Sequence, residues 1–271
     1  MKSFIAEDSF WELFPQAAVG VVVVEGMKPT AQIPQEDVDA IAALLDRANI
    51  DAGVAMTSDT ISENAPVKAW RDAYRLFKTK KGARCSIENL LKRVLKGKPV
   101  GHITPAVDIY NTVSLTYALP VGGEDLHAIE GDLRLKVTDG GDAFLPLGEE
   151  ADDPTRCPAS SPTSTMPAPC AAAGTGATAF RTALSDDSAD AFLAIECVEP
   201  RADGGNARRP PSTVLPICSS GIWERRLSLR PLVTRDNPCV EHCSGACRSC
   251  SPVKTTTKVP VPFVVIFMLM G

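Results

Sequence analysis

The sequence lacks the apolar segments that direct a protein into or across a membrane. Its first residues reach Glu7 and Asp8 without the apolar stretch of a secretory signal. Residues 261–270 are apolar, but a membrane-spanning helix needs about 20 such residues. We therefore expect a cytoplasmic protein that does not associate with membranes. In that compartment its 9 cysteines are expected to be reduced thiols rather than disulfides.

Histidine is scarce, and the common motifs of nucleotide and covalent chemistry are missing. No P-loop is present, no GxGxxG follows a predicted strand, and no serine lies in a nucleophile elbow. Of the 3 histidines, only His102 and His127 lie outside the C-terminal region. Each is expected to be a surface or capping residue rather than a base. No cofactor is predicted, and an ATP-driven reaction is not expected.

The charge of the chain is unevenly distributed. The net charge is −5, which argues against general binding of polyanions. Residues 65–100, however, contain 11 Lys and Arg against 2 Asp and Glu, whereas residues 101–153 contain 2 against 11. A basic block followed by an acidic block predicts a surface with two differently charged sides.

Hydrophobic periodicity predicts a strand followed by three helices in the N-terminal part of the chain. Residues 19–24 form a β-branched run that indicates a buried central strand. Apolar residues at helical spacing predict helices over residues 35–48, 66–78 and 86–95, and residues 49–65 are predicted to be a loop. Ser86 is the expected N-cap of the third helix, and Gly97 is expected just after its end.

Residues 105–148 predict one continuous α+β unit. A helix is expected from Pro105 to just before Pro120, followed by a glycine loop at Gly122 and Gly123 that tolerates positive φ or a close backbone approach. A strand over residues 133–137, a turn at 139–142 and a second strand over 143–147 are then expected to form a hairpin. The predicted fold class is α+β, a mixed sheet flanked by helices.

The two helices of the basic block are candidates for an RNA-binding surface. Basic side chains interleaved with Trp70 and Tyr74 are typical of contacts to an RNA backbone. An ordinary solvated helix face is the alternative interpretation. The predicted RNA-binding residues are Arg71, Arg75, Arg93 and Lys96.

The sequence changes character after residue 154. Residues 155–179 have almost no charge and no apolar period, which predicts a disordered linker or a segment translated out of frame. Residues 191–196 are then predicted to form a strand that joins the sheet. Residues 201–271 are predicted to be a disordered, Cys/Pro/Ser-rich tail or out-of-frame sequence.

The tail contains a weak candidate for a zinc site. CxxC pairs are common zinc half-sites, but the wider spacing of the first cysteines is unusual for a zinc finger. Chance occurrence in a tail is the favoured interpretation, so no metal is predicted. The candidate ligands are Cys239, Cys243, Cys247 and Cys250, with His242 nearby.

Several motifs, in this order, resemble the B3/B4 module of the bacterial-type phenylalanyl-tRNA synthetase beta subunit, and especially free-standing proteins built from it. They are S-I-E-x-L-L-x-R-V-L-K-G-K at 86–98, V-D-x-x-N at 107–111, P-V-G-G-E-D-L at 120–126 and D-L-x-x-I-x-G at 125–131. The resemblance covers about residues 1–150 and 181–196. It implies a B3/B4-like domain over residues 1–200, interrupted by 155–179.

The resemblance also implies a pocket that hydrolyses a wrongly attached amino acid from tRNA. Asp108 and Asn111 match the family motif, but the family threonine falls on Tyr110 and the family histidine falls on Gly122. Two polar groups of the pocket are therefore missing, which argues against unchanged editing chemistry. The candidate substrate-binding residues are Asn111, Gly122, Gly123, Glu124 and Asp125.

Three interpretations of function follow from these observations. The first is a stand-alone protein that binds the acceptor end of tRNA, with deacylation of mischarged tRNA in trans as its candidate activity. The second is a small-molecule-binding protein that kept the pocket and lost tRNA. The third is a non-functional product of a faulty gene model. Four basic residues on one face beside the pocket would favour the first interpretation, and scattered ones the second.

Overall fold

The computed structural model describes residues 2–77, 84–137 and 182–198, with Arg235 and the backbone of three further strands. In chain order the helices and strands are β1 (Lys2–Ala6), α1 (Asp8–Leu13), β2 (Ala18–Met27), α2 (Gln35–Ala55), α3 (Ala65–Ala73), α4 (Ser86–Leu95), α5 (Pro105–Tyr117), β3 (Val121–Asp125), β4 (Leu133–Leu135), β5 (Thr165–Met166), β6 (Asp190–Cys197), β7 (Trp223–Leu229) and β8 (Cys239–His242).

The strands form two four-stranded sheets. One has the order β3-β6-β2-β7, and its long central pair β2–β6 is antiparallel with Gly20 opposite Ile195. The other has the order β5-β4-β1-β8, in which β1 runs parallel to β4 and antiparallel to β8. Parallel and antiparallel pairs together with five α-helices confirm the predicted α+β class.

Strand β2 is buried on both of its faces, which explains its unbroken valine run. Val19, Val21 and Val23 pack into the larger hydrophobic core, whereas Val22 and Val24 pack into a second cluster on the opposite face. The larger core also contains the aromatic residues of α1 and the inner residues of α2, α3 and α4. The predicted central strand and the predicted strand over residues 191–196 are both confirmed.

Helix α2 is about two turns longer than the sequence predicted. It continues through Ala55, so the predicted loop over residues 49–65 is wrong for its first part. Asn49 interrupts the apolar pattern but is buried, because its amide pairs with both backbone groups of Val100 at 2.8 and 3.1 Å. A polar residue can therefore lie on the buried face of this helix when its side chain hydrogen-bonds to the backbone of a neighbouring loop.

Helices α3 and α4 also differ in detail from the prediction. Helix α3 ends at Ala73 rather than near residue 78, and its buried side is formed by Val67, Trp70 and Ala73. The N-cap of α4 is the buried Cys85 rather than Ser86, which begins the helix itself. Gly97 has φ of +65°, which confirms it as the residue that ends this helix.

The predicted glycine loop is a strand. Gly122 and Gly123 lie in β3 and pair with Ala194 and Leu193 of β6, and neither has positive φ. Strand β6 supplies the hydrogen-bonding edge that β3 needs, and the sequence did not reveal this pairing. A side chain at 123 would be crowded, because a Cβ there would lie 2.8 Å from Leu184 and 2.9 Å from Leu193, whose terminal methyl groups would have to shift.

Several predictions fall on residues outside the described part of the chain. These are the hairpin turn and second strand over residues 139–147, residues 155–179 except for β5, and residues 201–271 except for β7, β8 and Arg235. Cys239 begins β8, whereas Cys243, Cys247 and Cys250 are not described. Within the described residues there is no cluster of His, Cys, Asp and Glu that could hold a metal. None of the helices described has the length and apolar character needed to span a bilayer.

We expect Gly123→Ala to destabilise the protein by about 1 to 3 kcal/mol, because the added methyl group must displace two leucine side chains. The loss would be measured as the free energy of unfolding in urea. Gly101→Ala is the matched control, since a Cβ at that position has no atom within 4 Å. Equal stability of the two variants would contradict the crowding at Gly123.

Candidate functional site

The start of helix α5 is fixed by Asp108, the acidic residue of the V-D-x-x-N motif. Thr104 caps the helix by accepting a hydrogen bond from the Val107 amide at 3.3 Å. The buried Asp108 carboxylate accepts the Ile103 amide at 3.0 Å and lies 2.8 Å from His102 Nδ1. Asp108 therefore holds the segment before α5 in place, and His102 is its partner rather than an independent base.

Tyr110 lies where helix α5 packs against strand β3. A Cβ at Gly123 would lie 3.3 Å from its ring, so the ring covers the strand directly. Burial, together with the negative charges of Glu124 and Asp108, raises the pKa of Tyr110 to about 12. Asn111, the next residue, is also buried. The tyrosine thus occupies the space between helix and strand as a neutral phenol.

Glu124 is the most perturbed carboxyl group among the predicted site residues. Only 8% of the residue is exposed, and burial raises its pKa from 4.5 to about 7, although a hydrogen bond from the Thr182 side chain opposes this shift. Its second oxygen, Oε2, has no hydrogen-bond partner within the described residues. A carboxyl group with this pKa exchanges protons near neutral pH, as a general base must.

Asp125 is a structural clamp at the end of β3. One carboxylate oxygen accepts the His127 amide at 2.8 Å, and the other accepts the Ser188 hydroxyl at 2.6 Å. His127 in turn lies 2.9 Å from Asp190, which also accepts the Gly26 amide. Asp125 and His127 therefore join the end of β3 to β6 and to the turn before it.

Four of the five predicted substrate-binding residues lie in the edge strand β3, and the fifth lies on helix α5 beside it. Gly122, Gly123, Glu124 and Asp125 are consecutive in β3, and Asn111 lies on α5 next to Tyr110. Two hollows open to solvent are bounded by described residues alone, and neither is lined by these glycines. One is a shallow hollow at the start of α5 and includes Ser188, the partner of Asp125.

The predicted RNA-binding residues divide into two pairs. Arg71 makes a two-pronged ion pair with the buried Glu88, at 2.7 and 3.0 Å, and Arg84 lies 3.3 Å from the same carboxylate. Arg75 pairs with Asp72 at 2.6 Å on the surface. Arg71 and Arg75 are therefore already balanced by carboxylates.

Arg93 and Lys96 have no carboxylate partner among the described residues. Both are exposed near the end of α4, where Arg93 donates to the Pro99 carbonyl at 3.4 Å. The predicted aromatic contribution is corrected, since Trp70 is only 2% exposed and packs in the core. Trp70 lies on the buried side of α3, whereas Leu76, beyond the end of this helix, is exposed.

The comparisons with known proteins give a family. The model of the B3/4 domain matches residues 69–209, more than half of the chain. The chain belongs to the B3/4 domain family. No curated protein and no solved structure matched in the other two searches. The match begins inside α3 and includes every residue predicted for substrate and RNA binding.

Some important residues of this B3/4 domain were missed by the sequence analysis. Thr182 and Ser188 contact Glu124 and Asp125 from a segment about 60 residues further along the chain. Thr182 and Ser188 are short polar residues near a turn, and nothing in the sequence pattern indicated that they contact β3. Glu88, which forms ion pairs with two arginines, was not among the predicted site residues. The sequence contains arginines 17 and 4 residues before Glu88, but it does not show that both side chains reach the Glu88 carboxylate.

We expect Arg71→Ala to lower the free energy of unfolding by about 1 to 3 kcal/mol, because it leaves the buried Glu88 with Arg84 alone. Arg75→Ala removes an exposed ion pair and should change stability by about 0.5 kcal/mol or less. Urea unfolding of both variants would measure the difference. Similar small effects would show that the Glu88 ion pair is not structural.

We expect Glu124→Gln to become more stable relative to the wild type as pH rises from 4.5 to about 7. As pH rises, the carboxyl group of Glu124 loses its proton at a lower pH in the unfolded chain than in the folded protein. The stability that the protonated group contributes to the wild type is therefore complete below pH 4.5 and is lost as the pH rises to about 7. The shift corresponds to up to about 3 kcal/mol. Urea unfolding at several pH values measures it, with the exposed Glu36→Gln as a charge-matched control. A difference that is constant with pH would refute the raised pKa.

Proposed function

We propose that this protein binds the acceptor end of tRNA through its B3/4 domain and hydrolyses a wrongly attached amino acid. The observation that carries the proposal is the family match over residues 69–209, which spans both the basic end of α4 and the edge strand β3. The motifs of α4, α5 and β3 resemble the synthetase module in the same order. The chain supplies the two chemical elements that such a function needs, a positive surface and a proton acceptor.

Arg93 and Lys96 are the residues we assign to the phosphate backbone. They are exposed, lie one turn apart at the end of α4, and have no ion-pair partner among the described residues. Arg71 is excluded from this role because its guanidinium is held by Glu88. Backbone contacts of this kind release counterions, so their contribution depends strongly on salt.

Glu124 is the residue we assign to proton transfer. Its carboxylate would take a proton from a water molecule that attacks the ester carbonyl, and the ribose oxygen would leave with that proton when the ester bond breaks. A pKa of about 7 lets the group accept and return the proton near neutral pH. This assignment replaces the polar groups that the family motif places at Tyr110 and Gly122.

A second candidate is binding of a small molecule without tRNA. The specific observation in its favour is that two of the four predicted RNA-binding residues are balanced by carboxylates and that Trp70 is buried. This loss leaves a smaller positive surface than the sequence predicted. Under this alternative, the substitution of Arg93 and Lys96 would not affect ligand binding.

The decisive experiment measures filter binding of uncharged and mischarged tRNA at two salt concentrations, followed by a deacylation time course. We expect affinity to fall as salt rises, and Arg93→Ala with Lys96→Ala to weaken binding and reduce the salt slope by about 0.7 for each lost phosphate contact. Glu124→Gln should bind tRNA but deacylate it at least about a hundredfold more slowly.

Arg47→Ala is the matched control, because this exposed arginine lies on α2 outside the family match and pairs with Asp51. It should bind tRNA as the wild type does. Absence of binding, or binding that does not respond to salt, would refute the proposal. Normal binding with no deacylation by the wild type would refute the catalytic part alone.

A further inference from the structure

A row of exposed apolar side chains lies on the surface of α2. Ile50 is 60% exposed and Val54 is 71% exposed, and the two share a helix face because they are one turn apart. Ile103, in the segment between α4 and α5, is 72% exposed. Single exposed apolar residues are common, but three of them on neighbouring elements mark a candidate interaction surface.

The segment from the end of α4 to Ile103 runs beside α2. At one end Val94 is packed close to Gly53, where a Cβ would lie 3.3 Å from its side chain. In the middle Asn49 pairs with the backbone of Val100. At the other end His102 lies 3.5 Å from Asp46. Ile103 is therefore near the Asp46 end of this surface, and Lys98 is towards the Val94 end.

The charges on this surface have an order along α2. Asp46 lies one turn before Ile50 on the same face, and its side chain is 66% exposed. The exposed Lys98 follows the end of α4, where its amide donates to the Arg93 carbonyl at 3.0 Å. Asp46, Ile50 and Val54 therefore form a row about 12 Å long with its acidic residue at one end, Lys98 lies towards the other end, and the Arg47–Asp51 ion pair lies beside the row.

We propose that this surface binds the same surface of a second copy of the chain about a two-fold axis. A two-fold contact places one patch against itself, so an acid-apolar-base order is self-complementary when the two α2 helices run antiparallel. Asp46 of each copy then faces Lys98 of the other, and Ile50 and Val54 are covered at the centre. Ile103 extends the apolar contact towards Val54 of the opposite copy.

The size of the patch sets the strength of the contact. A standard stable interface buries about 800 Å² on each partner, and three apolar side chains with two charges supply less than that. The dimer is therefore reversible, with a dissociation constant in the micromolar range. The inference does not rest on the proposed tRNA function, since it uses none of Glu124, Arg93 and Lys96.

Sedimentation velocity of the full chain from low micromolar to several hundred micromolar tests the contact. The wild type should shift from monomer to dimer over this range. Asp46→Lys and Lys98→Asp should each raise the dissociation constant by about tenfold, because each puts like charges opposite one another. The double variant Asp46→Lys with Lys98→Asp should restore wild-type dimerisation by exchanging the charges.

Thermal unfolding of each variant controls for loss of the fold, and Asp39→Lys, an exposed change two turns earlier on α2, controls for altered net charge. A wild type that stays monomeric throughout the range overturns the proposal, including the case in which a different protein occupies the patch. A dimer that the single variants do not weaken, or that the double variant does not restore, also overturns it, because another surface would then be responsible.

Discussion

The antiparallel pairing of β2 with β6 is the constraint on which the rest of the fold depends. The pair is eight residues long in register and lies between two hydrophobic clusters, so neither strand has a face available for water. A shift of one residue would exchange the side chains of the two clusters. Because β3 pairs with the other edge of β6, the same register also fixes where Glu124 and Asp125 lie.

The elements with strong periodicity could be predicted from the sequence. The valine run of β2 and the helix of residues 86–95 were found because burial on both faces, or on one helical stripe, leaves a clear pattern. The length of α2 was not found, since Asn49 breaks the stripe and its partner Val100 is 51 residues away. The glycine pair was taken for a loop, because the sequence does not show that β6 offers it an edge.

The sequence named candidate site residues but did not show their chemical environment. The sequence named Glu124 as a candidate substrate-binding residue, but its raised pKa depends on burial, and Glu124 pairs with Phe192 and Ala183, which are distant in the chain. In the same way, a count of basic residues predicted four RNA contacts. Two of those charges are balanced by Glu88 and Asp72, because ion pairing is decided by side-chain geometry rather than by the local excess of one sign.

The buried N-cap of α4 provides the molecule with an internal chemical reporter. Burial raises the pKa of the Cys85 thiol well above its usual range, with a smaller contribution from Glu196, and Cys85 is only 1% exposed, so its sulfur is shielded from reagents in the folded state. An alkylating reagent can then modify Cys85 only when the start of α4 separates from the sheet. The rate of that modification, followed peptide by peptide in a mass spectrometer, measures how often this domain opens.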